Sequence, residues 1–197
     1  TTEIYTLSLH DALPIFGLGG LGTFAALFHT LNHSLSKSLA FFSAGRLGQS
    51  FGSHNIEKMS GSMQVSPIWG TGIAASILVL IGIVPFSLFI SEFQILKAAV
   101  DSSRMLVVVA FLIGTGIVFI GALRYVLPMA FGKISAPFEP LPARKLDAFL
   151  VAAPLLILLV LGVWMPKPLQ SALSRAAAII QTSPQASAIQ GIPGGEP

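Results

Sequence analysis

Apolar residues in this chain fall into blocks long enough to cross a membrane, separated by short stretches rich in glycine, serine and proline. The first block runs from about Leu18 to Phe42, and a polar, glycine-rich stretch, Gly45–Ser66, follows it. The next apolar region, Ile68–Val100, would be about 50 Å long as one helix, against a hydrocarbon core of about 30 Å. It is interrupted at Gly82-Ile83-Val84-Pro85, which predicts two segments, Ile68–Val84 and a shorter Phe86–Val100. Met105–Phe131 is a clear single span, and a loop dense in Pro137, Pro140, Pro142, Arg144 and Lys145 leads from it to Leu146–Met165. Beyond Pro166 and Pro168, Leu169–Gln181 reads as a small amphipathic helix, and the Pro, Gly, Ser and Gln tail from Thr182 to Pro197 reads as disordered. The predicted fold is all-α: a polytopic transmembrane helix bundle of about four or five membrane segments, one of them interrupted near Pro85. The transmembrane domain occupies 16–167, and 168–197 carries the short helix and tail.

Composition sharpens this. Of 197 residues, 53% are hydrophobic and 10% charged, against about 25% charged in an average soluble domain, and the mean hydropathy is +0.81. So little charge cannot cover that much apolar surface in water. The absence of cysteine excludes disulfides, thiolate metal sites and cysteine-ligated iron–sulfur clusters in this chain. The eleven Lys and Arg are scattered between apolar blocks, a pattern of loop charges beside membrane spans and not of a nucleic-acid face.

Residues 1–15, TTEIYTLSLHDALPI, differ in composition from the rest, lack the layout of a signal peptide, and match the in-frame translation of a common sequencing-library adapter. They are expected to be an artefact, so that the native sequence starts at Phe16 with its true start missing, and Glu3, His10 and Asp11 carry no functional argument.

With five segments, the loop Gly132–Lys145 falls on the side opposite to Gly45–Ser66, and its Lys133, Arg144 and Lys145 place it in the cytoplasm by the positive-inside rule. If the chain does not turn at Pro85, the assignment inverts for everything before the break.

Ionisable residues inside the apolar blocks are the functional candidates, because a charge at membrane depth costs several kcal/mol. His29, His33 and Lys37 recur at i, i+4 and i+8 and so share one helix face, with Ser36 and Ser43 close to it. Histidine changes charge near neutrality, which makes this polar stripe a candidate hydrated proton path. Interhelical hydrogen bonding that only holds the bundle together is the alternative, and a zinc site would need a further ligand. Glu92 lies about 12 Å beyond Val84 along a helix, hence near mid-membrane, just after the break. Discontinuous helices are tolerated only where they line protein or water, and transporters place binding sites there. The competing reading puts Glu92 at a membrane edge near Lys97. Arg124 reads equally as an interfacial anchor, and His54, Glu57, Lys58 and Asp101 as solvated loop residues. The run Gly17–Gly22 lacks the strand and the Lys-Ser/Thr pair of a phosphate loop and reads as close helix packing.

Two runs carry a family resemblance. Phe28–Phe42 (FHTLNHSLSKSLAFF) resembles the H-x3-H-x3-K-x-L-x-F stretch of antiporter-like subunits of respiratory complex I, membrane-bound [NiFe] hydrogenases and multi-subunit cation/proton antiporters, and Gly82–Phe93 (GIVPFSLFISEF) resembles the family's broken-helix stretch, in which relatives carry Lys or Glu at the position of Glu92. The Ser-Glu-Phe form with Asn32-His33-Ser34 upstream is most similar to the hydrogenase-4 component F branch. The resemblance covers about residues 16–165 and implies the C-terminal part of a subunit of about fourteen helices. It implies a proton-translocating subunit in the cytoplasmic (inner) membrane, partnered by other membrane subunits and by a peripheral hydrogenase or dehydrogenase module. The equivalents of His29, His33 and Lys37 lie on the family's central hydrophilic axis and that of Glu92 near its exit. The family's upstream Glu and Lys are absent, so this chain is expected to hold one half-channel and not to pump alone. Nothing in the sequence supplies a redox centre, quinone site or nucleotide site, so no cofactor, metal site or catalytic residue is expected. A cation/proton antiporter subunit and an inert membrane scaffold are the rival readings.

Overall fold

A computed structural model describes residues 20–134, 137–139, 142 and 144–182. The adapter-like segment and the tail beyond Thr182 lie outside the described residues. Seven α-helices follow one another there: α1 (Gly20–Phe51), α2 (Ser62–Val65, after a 3-10 turn at Ile56–Met59), α3 (Pro67–Leu80), α4 (Ser87–Asp101), α5 (Met105–Phe131), α6 (Lys145–Val163) and α7 (Lys167–Thr182). The architecture is an all-helical polytopic bundle, as the hydrophobic blocks predict.

The chain packs as two compact units. One comprises the described parts of Thr1–Thr30, Ser91–Leu112 and Met165–Pro197. Its apolar centre joins Ala25 and Ala26 of α1 to Ile95 of α4, with Phe111 of α5 packed against them. In it α7 is tied to α1 by a hydrogen bond from Gln181 to the Thr23 hydroxyl (3.3 Å).

The other unit comprises Leu31–Ile90 and Ile113–Trp164. Its main core packs Leu39, Leu47 and Phe51 of α1 with Met59, Trp69, Ile73, Val126, Met129 and Val151. A second cluster joins Val79, Leu88 and Leu158, with Leu35, Leu80, Phe86 and Leu155 around it.

Two expectations are corrected here. The first helix does not end near Phe42 but continues to Phe51, because Leu47, Ser50 and Phe51 are buried and repay the extra turns with core contacts. The loop after α5 does not lie opposite to Gly45–Ser66. Ser60 donates to the Pro128 carbonyl (3.0 Å), Gln64 to the Gly132 carbonyl (3.4 Å), and the Glu139 N–H to the Ser50 carbonyl (2.8 Å). α1 and α5 therefore finish at the same end of this unit, from which α3 and α6 depart. The opposite-side assignment assumed that the chain reverses at Pro85, and these contacts overturn it.

The break itself is well formed. α3 ends in paired hydrogen bonds of Schellman type, Gly82 N–H to Val79 O (3.0 Å) and Ile83 N–H to Leu78 O (3.2 Å). Gly82 supplies the required positive φ of 75°. The Phe86 N–H then bonds the Ile83 carbonyl (3.2 Å) in a turn that leads into α4. α6 passes so close that a Cβ on Gly162 would strike the Pro85 carbonyl oxygen.

Among the described residues two helices are long and apolar enough to cross a membrane, α5 and α6, and no residue of the apolar window of α5 is buried.

Candidate functional site

The interior face of α1 is polar as well as apolar. Phe28, Asn32, Ser36, Leu39, Ser43, Leu47 and Ser50 recur at helical spacing and are all buried. Small polar residues on such a seam let helix backbones approach and hydrogen-bond across. Ser36 donates to the Ser76 carbonyl of α3 (3.0 Å), and Ser43 lies where a Cβ on Gly72 would meet its hydroxyl at 2.5 Å. His29, His33 and Lys37 occupy the flank of this seam, one residue round from Phe28, Asn32 and Ser36, and all three are half-buried.

Within the first unit, α4 meets α1 at a specific point. The His29 Nδ1 lies 2.9 Å from the Ser91 hydroxyl, and Ser91 is fully buried. Glu92, the next residue on α4, is half-buried. Lys97 is not available as its counter-ion: its ammonium pairs with Asp101 at 2.6 Å, both side chains more than half exposed. That pair occupies the partner the membrane-edge reading of Glu92 would use. His33 and Lys37 belong to the second unit, along the same helix. Among the described residues, no group of three His, Asp or Glu side chains stands close enough to hold a metal ion. Arg124, His54 and Lys58 are exposed.

Two features lie beyond the candidates read from sequence. Ser91 is one; only its position before Glu92 could have drawn attention to it. The other is a charged cluster at the Phe51 end of α1, where Arg46 lies 3.8 Å from Asp147 of α6, stacks over the Trp69 ring (5.8 Å to the centroid) and donates to the Gln49 side chain (2.8 Å). Asp147 also accepts the Arg144 N–H (3.1 Å), which satisfies a donor at the start of α6.

A family profile described as NADH:quinone oxidoreductase/Mrp antiporter, TM, matches residues 13–118, more than half of the chain, and includes His29, His33, Lys37 and Glu92. The chain is 32% identical over 154 residues to a hydrogenase-4 component F homolog of Methylacidiphilum infernorum, covering 77% of this chain and 31% of that protein. It is 24% identical over 176 residues to a Na(+)/H(+) antiporter subunit A1 of Staphylococcus epidermidis, covering 82% and 22%. Among solved structures, the Mrp complex of a Dietzia species matches with a TM-score of 0.61 at 19% identity, over 89% of this chain and 40% of that one, which shows a shared fold. The chain spans less than a third of the length of these curated relatives.

Proposed function

The chain belongs to the NADH:quinone oxidoreductase/Mrp antiporter transmembrane family, and we propose that it works as a proton-translocating membrane subunit of an oxidoreductase complex of the hydrogenase-4 or NADH:quinone oxidoreductase type. The observation that carries this reading is the contact between His29 and Ser91, which brings the first member of the titratable stripe of α1 onto α4, one residue from Glu92. Lys37 holds or releases a proton according to the charge of its neighbours. His33 and His29 pass it on with intervening water, and Glu92 releases it to one side. Moving one charge through 100 mV costs about 2.3 kcal/mol, so modest changes in the local field drive such a step.

The partners are other membrane subunits and a peripheral hydrogenase or dehydrogenase module, and the location is the cytoplasmic membrane. Arg46, Lys58, Lys133, Arg144 and Lys145 gather at the Phe51 end of α1, which the positive-inside rule assigns to the cytoplasm. The likeness to the sodium/proton antiporter subunit favours a second reading, a subunit of a multi-subunit cation/proton antiporter.

The test is proton movement by the full-length gene product in its native membrane complex. Glu92→Gln and Lys37→Ala are each expected to abolish it while assembly survives. Intact proton movement in both variants leaves an inert scaffold. Sodium-dependent exchange without any redox partner selects the antiporter.

A further inference from the structure

Ser91 is fully buried on α4 and places its hydroxyl 2.9 Å from the His29 Nδ1. A neutral imidazole carries a proton on one nitrogen and a lone pair on the other, and an imidazolium carries a proton on both. A backbone N–H at Nδ1 would forbid the charged form, and a carboxylate would favour it. A hydroxyl does neither: it accepts when Nδ1 bears hydrogen and donates when Nδ1 is bare. When Nδ1 bears the hydrogen, the hydroxyl accepts from it in the neutral and in the charged ring alike, so the same contact persists through a change of charge at Nε2 without rotation of the ring. With Nδ1 held by the hydroxyl, a proton enters and leaves the ring at Nε2.

The surroundings suit this role. One turn away on each helix, Ala25 and Ala26 of α1 pack in an apolar cluster with Ile95 of α4. The charged groups on α4 are Glu92, adjacent to Ser91, and the exposed Lys97–Asp101 pair, whose members neutralise each other.

We propose that Ser91 is a positioning residue that holds the His29 ring in one orientation through both of its charge states, so that His29 exchanges its proton through Nε2 alone. This rests on the proton-relay reading above.

The test uses the full-length protein in its membrane complex with 15N-labelled histidine side chains, comparing Ser91→Ala and Ser91→Thr with the native protein. The native protein and Ser91→Thr, which keeps the hydroxyl, are expected to show a single hydrogen-bonded state at His29 Nδ1, with titration seen at Nε2. Ser91→Ala is expected to show both tautomers in exchange and proton movement about tenfold slower, on the scale of one lost hydrogen bond, with a displaced pH profile. A His29 spectrum and pH profile in Ser91→Ala identical to those of the native protein overturn the inference, as does Ser91→Thr behaving like Ser91→Ala. Unimpaired proton movement in Glu92→Gln sinks the relay instead, and the tautomer spectrum reads out the Ser91 contact whether or not protons move.

Discussion

Arg46 and Asp147 join the end of α1 to the start of α6 across 3.8 Å, with the carboxylate almost buried and the guanidinium partly open to solvent. Removing one member of a buried pair costs about 3–5 kcal/mol, but 30% exposure of the Arg46 side chain screens this pair to about 1–2 kcal/mol. Asp147→Ala also removes the acceptor for the Arg144 N–H, so a loss of about 2 kcal/mol is expected. Asp147→Asn keeps an acceptor and is expected to cost less. Denaturant titration of the reconstituted protein measures both, and equal losses would show that the capping bond contributes nothing.

Gly162 is where α6 touches the break. A Cβ there meets the Pro85 carbonyl oxygen and the backbone of Phe86 and Ser87, none of which is a side chain that could swing aside. Gly162→Ala is expected to destabilise by about 2–3 kcal/mol. The same titration checks it, and a neutral result would mean that α6 has slack at this point.

Ser36 reaches across the α1–α3 seam to the Ser76 carbonyl at 3.0 Å from a fully buried position. Ser36→Ala is expected to cost about 1 kcal/mol, the worth of one interhelical hydrogen bond. Ser36→Leu, which adds volume to a closed seam, is expected to cost more, about 2–3 kcal/mol. Thermal unfolding of the detergent-solubilised protein would rank the two, and the reverse order would refute the packing described.

Lys97 and Glu92 share α4 but differ in role. Because Lys97 is more than half exposed and already paired with Asp101, Lys97→Ala is expected to leave both assembly and proton movement unchanged. Glu92→Gln in the same membranes is expected to stop proton movement. A proton-movement defect in Lys97→Ala as deep as that in Glu92→Gln would return the membrane-edge reading of Glu92.

The helices themselves were readable from the chain because their signals are local. Arg104 and Gly132 bracket α5, and the Gly82–Pro85 run marks the break, where the structure shows capping bonds built from those residues. What was not readable depends on partners distant in sequence. Gly45 and Gly48 signal a loop locally, yet burial of Leu47 and Phe51 against Trp69 and Met129 carries α1 through them. The sidedness of the 132–145 loop could not be read without knowing whether Pro85 reverses the chain. Periodicity placed His29, His33 and Lys37 together on α1, but the contact of His29 with Ser91 spans 62 residues. No spacing rule reaches that far, and the same holds for Asp147, whose partner Arg46 looks like an ordinary loop cation in the sequence.

The Schellman bonds at Gly82 and Ile83 terminate α3 completely on its own residues. The interruption is thus a finished joint, capped by the chain itself. No backbone hydrogen bond of the α3 ladder has to rupture for α4 to shift or pivot. A movement that carries Ser91 and Glu92 would instead be resisted by the Ile83–Phe86 turn bond, the His29–Ser91 contact and the packing of α4, of which the side-chain terms can be changed by mutation one at a time.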